Sequence, residues 1–549
     1  MNHLYYGDNL DVLRRHVADQ SVDLVYLDPP FNSNASYNVL FAERDGTQAA
    51  SQIKAFEDTW RWDEGAARAY QEVVERGGRI SQAMQAFRTL LGESDMLAYL
   101  AMMAPRLVEL RRVLKSTGSL YLHCDSAAGH YLKLLLDAIF GPTHFRNEII
   151  WKRRPGMSSA VHSSNRFGVC TDSILFYAKS SETPFRPQYN KDDPDYTRYV
   201  EKSFTKVDED GRRFQATSLT NPAYRPNLIY EYKGYKPPRN GWMITREKMA
   251  AWDQEGRIYF PKNKSGRLRR KSYVDELKGM PIQNLWTDIQ VIPSHATERL
   301  GYPTQKPEPL LKRIIKTSSD EGDTVLDPFC GCGTTIAAAQ ELNRQWIGID
   351  VTNLAITLIR HRLRDTYGDE IEQTYEVVGE PISLPDAVAL AAADPYQFQW
   401  WALGLVGARP TEGKKGADKG IDGRIYFHEG DTAKTKQIVI SVKAGKLHAT
   451  YVRDLRGVME REKAEIGVLL SLDKPTAKMR TEAASAGFYE SAWGKHSRLQ
   501  IVTVGELLDG KKLDAPPPRQ TSVTYKRAPK AVPKAAEQPD MWEARRESD

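Results

Sequence analysis

Asp28-Pro29-Pro30-Phe31 is the first point in the chain where residue types and spacing could do chemistry. Two consecutive prolines remove amide donors and lock φ, so the Asp28 carboxylate and the Pro29 carbonyl stand as fixed acceptors beside an aromatic ring. Such acceptors suit an amino-bearing base. An exocyclic amino nitrogen is a poor nucleophile because its lone pair is delocalised into the ring. Two acceptors gripping its hydrogens favour a pyramidal, nucleophilic nitrogen. Phe31 would then stack on a base swung out of a duplex. Capping of a strand is the bland alternative for the same tetrapeptide.

A second group runs Asp327-Pro328-Phe329-Cys330-Gly331-Cys332-Gly333-Thr334. It follows an apolar strand pattern and opens a helical one, which is the geometry of a nucleotide cradle: glycines let the backbone turn tightly and approach a ligand. Asp350 ends the next strand about 20 residues on, where a carboxylate can bond a ribose hydroxyl. A glycine turn alone would equally suit a tight corner; the second acidic strand end argues for the cradle. No stretch reads GxxxxGK[ST], which excludes an ATP motor.

These motifs need strands to carry them. Ser21 to Leu27 reads as a buried strand, Met96 to Leu114 as a helix, and Gly118 to Cys124 as another strand, a βαβ rhythm that returns at Thr324 to Asp327, Thr334 to Leu342 and Gln345 to Asp350. Between them the chain becomes rich in Pro, Gly, Tyr and basic residues. The expected division is therefore a catalytic half at 1–152, an insert at 153–297 and a cofactor half at 298–370. A linker at 371–394, a smaller mixed domain at 395–510 and a disordered tail at 511–549 complete it. With 549 residues, 41% hydrophobic and 27% charged, a wholly disordered or fibrous chain is excluded. No apolar run approaches the 18 or so residues of a membrane span, so a cytoplasmic protein without a membrane partner is expected. Four cysteines at 124, 170, 330 and 332 make neither a disulfide framework nor a zinc site. The net charge of +6 is too mild to argue for nucleic acid without local clusters.

The DPPF tetrapeptide, the DPFCGCGTT turn and Pro303-Thr304-Gln305-Lys306-Pro307 together resemble the amino-methyltransferases of DNA, with the catalytic motif ahead of the cofactor loop as in their circularly permuted β group. The resemblance covers about residues 1 to 370. It implies a Rossmann-like α/β methyltransferase with an inserted target-recognition region, S-adenosylmethionine as cofactor and double-stranded DNA as substrate. Asp28, Pro29, Pro30 and Phe31 would be catalytic. Asp327, Pro328, Phe329, Gly331, Gly333 and Thr334 would wrap the methionine half of the cofactor, Asp350 would hold its ribose, and Thr304, Gln305 and Lys306 would close the pocket. Asp8 would either lie near the adenine or cap a turn. Adenine N6 is expected ahead of cytosine N4, because in that family an aspartate opens the tetrapeptide more often for adenine and a serine for cytosine. RNA and protein methyltransferases usually resemble an unpermuted order opened by asparagine, and neither feature is present.

The insert is the candidate DNA-reading surface. Lys262, Lys264, Arg267, Arg269, Arg270 and Lys271 fall within ten residues, and Arg153 and Arg154 follow a strand upstream. Tyr224, Tyr230, Tyr232, Tyr235 and Trp242 interleave with bases, either to stack on DNA or to build a small aromatic core under a solvated loop. Further on, Asp422 leads one strand and Gln437 to Lys443 forms its neighbour, with Ser441 and Lys443 on one face. That segment is similar to Mrr-like restriction endonuclease domains of the PD-(D/E)xK type, a small α/β fold in which Asp422 would hold magnesium and Lys443 would act on the attacking water. Ser441 stands where an acid or glutamine is expected, and Gln399 where a helix glutamate often sits. An active nuclease, a catalytically dead DNA-binding relic and a purely structural likeness are all open, as is a homodimer.

Overall fold

The computed structural model describes residues 1–30, 35–39, 53–58, 62–153, 168–293, 296, 298–300, 302, 304–411, 420–429, 435–517 and 528–531. A nine-stranded sheet organises the first and larger part. Across it run Leu285–Trp286, Phe145–Lys152, Thr171–Ala178, Leu114–Cys124, Val22–Leu27, Thr324–Asp327, Gln345–Asp350, Asn2–Tyr6 and Tyr375–Val378. The strand Thr171–Ala178 is antiparallel to both neighbours, and the other pairings are parallel. Val22–Leu27 is buried at every position, as a central strand covered on both faces must be, which is why its sequence is a nearly unbroken apolar run. The helix Asp95–Val113 is likewise buried on almost all sides and fills one face of the core with Val73, Met84 and Leu135 from its neighbours.

The central pairing is decisive for the site. Val25 on one strand faces Leu326 on another, so Asp28 and Asp327 leave the carboxyl ends of adjacent parallel strands, the usual crevice for ligands in open α/β sheets.

Three boundaries differ from the sequence expectation. The insert expected at 153–297 surrenders Thr171–Ala178 and Leu285–Trp286 to the large sheet; the separate compact unit is 187–283. Ser173-Ile174-Leu175-Phe176-Tyr177-Ala178 is an apolar strand embedded among Pro- and Gly-rich flanks that mask its period. The connector at 371–394 holds the sheet's edge strand Tyr375–Val378 and a helix, Leu384–Ala393, with a Ser383–Asp386 capping box. In the tail, Leu513 and Ala515 cover the C-terminal core, and the Ala531 amide bonds the Thr366 carbonyl at 3.0 Å.

The unit at 187–283 has a four-stranded antiparallel sheet, Ile258–Tyr259, Arg269–Tyr273, Arg213–Ser218 and Lys206–Val207. Tyr232, Tyr235, Trp242, Met249 and Leu268 form its core. The C-terminal domain has a five-stranded mixed sheet, Arg409–Pro410, Gly423–Phe427, Lys436–Lys443, Ile466–Ser471 and Leu499–Thr503. No helix among the described residues is long and apolar enough to cross a membrane.

Candidate active site

A cavity of about 340 Å³ opens at the carboxyl ends of the central strands, lined among others by Asp28, Tyr302, Asp327, Gly331 and Asp350. Asp327 is buried. Its Oδ1 accepts from the Phe329 amide at 3.0 Å and its Oδ2 from the Thr335 hydroxyl at 2.5 Å. Burial, with the neighbouring Asp28 and Asp350 acting the same way, pushes its carboxyl up to about 7. Asp350 closes the loop: Oδ2 accepts from the Gly331 amide at 2.9 Å, and Oδ1 from the amide and hydroxyl of Thr352 at 2.8 Å. Burial raises this carboxyl too. Gly331 and Gly333 have φ of +50° and +75°, a region that side-chain-bearing residues rarely adopt. A Cβ on Gly333 would stand 2.6 Å from the Ile359 side chain.

Asp28 faces the same cavity. Its Oδ2 forms an ion pair with Lys306, while its Oδ1 is buried without a hydrogen-bond partner among the described residues. Pro29 is buried and Pro30 lines the cavity; Phe31 lies outside the described residues. The loop bearing Lys306 is held in place by Gln305, whose side chain accepts from the Leu300 amide and donates to the Glu298 carbonyl, both at 2.8 Å. Thr304 lines the cavity beside it.

Asp8 does two jobs at the cavity rim. Its Oδ1 caps the helix Asn9–His16 by accepting from the Leu10 amide at 2.9 Å. Its Oδ2 pairs with Arg106 at 2.6 Å. Arg106 also donates to Asn9 Oδ1 at 2.5 Å, and Asn9 in turn donates to the Pro328 carbonyl at 2.8 Å. Arg106 thus ties the helix Asp95–Val113 to both rims. Sequence reasoning missed it, although a lone arginine within the apolar stretch from Met96 to Val108 is a visible signal. Cys330 and Cys332 are buried free thiols whose pKa burial raises. Thr334 is buried and accepts from Arg362 at 3.3 Å.

The basic residues separate. Lys262, Lys264, Arg267 and Arg269 are exposed, whereas Lys271 is bound to Asp208 at 2.7 Å and Arg270 stacks over Trp252 at 4.6 Å. Arg153 pairs with buried Asp172 at 3.0 Å; Arg154 lies outside the described residues. Tyr224 is exposed, and Tyr232, Tyr235 and Trp242 are core.

In the C-terminal domain, strand alternation brings Ser441 and Lys443 to Asp422. Asp422 Oδ1 accepts from the Gln399 amide at 2.9 Å. Its Oδ2 accepts from the Ser441 hydroxyl at 3.0 Å and the Val442 amide at 2.7 Å, with Lys443 Nζ at 3.7 Å. Among the described residues no group of three His, Cys, Asp or Glu could hold a metal ion.

Residues 22–360 match a family model described as DNA methylase, of the N6/N4 class. The chain belongs to the N6/N4 DNA methylase family. Behind the methylase, residues 396–509 match the model of the NACHT-associated inactive restriction endonuclease 1. The methylase is 33% identical over 293 residues to the type II methyltransferase M.EcaI of Enterobacter cloacae, an alignment covering 52% of this chain and 63% of that one. It is 30% identical over 356 residues to the StyLTI Mod subunit of a type III restriction-modification enzyme of Salmonella typhimurium, covering 62% and 50%. The match thus spans less than two thirds of these relatives' own lengths. A solved M1.HpyAVI complex with S-adenosylmethionine aligns at 15% identity and a TM-score of 0.30, over 66% of this methylase and 98% of that chain.

Proposed function

We propose that the chain transfers a methyl group from S-adenosylmethionine to the exocyclic N6 of adenine in double-stranded DNA. The observation that carries this reading is Asp28: one carboxylate oxygen is pinned by Lys306, and the other is buried and, among the described residues, unpaired at the cavity that Asp327 and Asp350 share. The cofactor supplies a methyl carbon on a sulfonium centre. A cavity lined by four carboxylates, Asp8, Asp28, Asp327 and Asp350, suits a ligand bearing two positive centres, an ammonium and a sulfonium. Asp350 Oδ2, which holds only the Gly331 amide, keeps a lone pair for a ribose hydroxyl, while Oδ1 is taken up by Thr352. Asp28 Oδ1 would accept an amino hydrogen of the flipped base, and that bond strengthens as the nitrogen becomes pyramidal and positive. An aspartate at the head of the tetrapeptide supports adenine ahead of cytosine N4. Sequencing DNA from cells making the protein, with modified-base detection, should find N6-methyladenine within one recurrent motif. N4-methylcytosine would overturn the base assignment, and unmodified DNA the whole reading.

The Asp327 carboxyl makes cofactor binding pH-dependent. Below pH 7 it is largely protonated, and a cationic ligand favours the ionised form, so binding must release a proton. Affinity for S-adenosylmethionine should rise from pH 6 to pH 8, by at most about tenfold per unit below the carboxyl's pKa. Calorimetry in buffers of different ionisation heat should show proton release at pH 6.5. In the ligand-free protein the sign is opposite: a carboxyl raised in the folded state loses its stabilising contribution as pH climbs from about 4 through 7.

The exposed Lys262, Lys264, Arg267 and Arg269 would give the 187–283 unit its phosphate contacts. For the C-terminal domain, the bonding of Asp422 by three protein donors supports a DNA-binding tether ahead of a nuclease. A divalent ion wants several anionic oxygens, and Asp422 already accepts three protein donors while Ser441 and Gln399 offer only neutral oxygens. DNA incubated with millimolar magnesium or manganese should stay intact. Asp422→Ala should leave methylation unchanged while destabilising the domain by about 1–3 kcal/mol through its orphaned donors. Cleavage abolished by that substitution would restore the nuclease reading.

A further inference from the structure

Tyr26, His123 and Asp172 form a buried polar line across three adjacent strands beneath the acceptor loop. Tyr26 pairs with Tyr121, and His123 two residues on pairs with Ile174, two residues from Asp172. Period two puts all three on one face of the sheet. The Tyr26 hydroxyl lies 3.0 Å from His123 Nδ1, and His123 Nε2 lies 3.2 Å from Asp172 Oδ2. The His123 ring is fully buried and wedged edge-on against Trp151, with centroids 5.7 Å apart at 87°. Arg153 ends the line at Asp172.

A sheet face packed inside a core is apolar by default, and polar groups there lower stability unless bonded. One end of this line reaches the reaction cavity. Tyr26 lines it, two residues before Asp28. Burial first, and then the charges of Asp28, Asp327 and Asp172, hold its phenol well above its ordinary pKa, so it stays neutral. Burial alone would raise the Asp172 carboxyl, but the bonded His123 ring and the charges of Arg153 and Lys306 bring it below its ordinary value. Lys306, which pins Asp28, is therefore within electrostatic reach of the far end of the same line.

Resting on the methyl-transfer reading above, we propose that Tyr26, His123 and Asp172 are positioning residues of that reaction, a bonded strut that fixes where the strand end presents Asp28 to the base. His123 is tied at both ring nitrogens, so the strut has one length. Its loss would leave the cofactor cradle of Asp327, Gly331 and Asp350 untouched and act on the chemical step.

The test is methyl transfer from labelled S-adenosylmethionine to amplified, unmethylated genomic DNA, in single-turnover and steady-state regimes, for the full chain and three variants. Tyr26→Phe removes one oxygen and keeps the ring, so the fold should hold. We expect its rate to fall about tenfold, the scale of one lost hydrogen bond, with KM for cofactor and DNA within about twofold. Asp172→Asn should fall similarly, and the double variant should fall no further than the worse single, since both cut one strut. Unchanged kcat for Tyr26→Phe, a loss residing in KM, or losses that multiply in the double variant would each overturn the proposal. A wild-type chain that methylates nothing would overturn the functional reading, and the strut with it; an active wild type with unaffected variants overturns the strut alone.

Discussion

Asp28→Asn should lower the rate of methyl transfer by about 10²–10³, the usual loss for one electrostatic stabiliser of a developing charge, while the dissociation constant for S-adenosylmethionine stays nearly unchanged. Asparagine is preferable to alanine here. Lys306 is largely buried against Asp28, and alanine would strip that ion pair from it, so that lost activity and lost stability could not be told apart. Asparagine leaves Lys306 an oxygen but replaces the free carboxylate oxygen by a neutral group, weakening the one contact that the positive nitrogen would strengthen. Labelled methyl transfer beside calorimetric titration separates the two effects. A fall in affinity equal to the fall in rate would move Asp28 from the reaction to the cofactor.

Gly331→Val should cut cofactor affinity by roughly 100-fold or more. The residue sits at φ +50°, where a β-branched residue costs on the order of 3 kcal/mol, and 1.4 kcal/mol is already tenfold in binding. Its new Cβ would also stand 3.2 Å from the Tyr302 ring. Relaxing that strain moves the amide that Asp350 holds, and with it the loop that would meet the ligand. Gly331→Ala should lose less, about tenfold, because it adds no branch. Equilibrium dialysis with labelled cofactor checks both, and equal affinity across the series would remove the glycine loop from the cofactor site.

The parts of this molecule legible in its sequence were those where chemistry limits residue choice locally. A prolyl acceptor loop and a glycine turn carry their own signature within a few residues, and the strands before them were visible as apolar runs. Pairings between distant segments were not legible. Nothing near Asp28 announces Lys306, and nothing near Asp8 announces Arg106, because each contact is made only when separate elements meet. The strand Thr171–Ala178 was hidden by its flanks, and with it the partner of His123. In the basic run, spacing alone could not show that Asp208 captures Lys271 while Arg269 stays exposed. For Asp422 the departures at Ser441 and Gln399 were already visible, and the geometry gives them a meaning: the protein's own donors fill the oxygens a metal would need.

The pairing of Val25 with Leu326 at the middle of the sheet also governs how the molecule is born. At about 5–20 residues per second on the ribosome, the strand Val22–Leu27 waits roughly 15–60 s for its inner neighbour. It can pair meanwhile with Leu114–Cys124, but its other edge, a ladder of unmet amides and carbonyls flanked by apolar side chains, stays open to any passing strand. The intervening 187–283 unit has its own core and can fold during that interval. Nascent chains stalled before residue 324 should therefore lean on chaperones, and synthesis rate should govern yield more than the stability of the finished protein does.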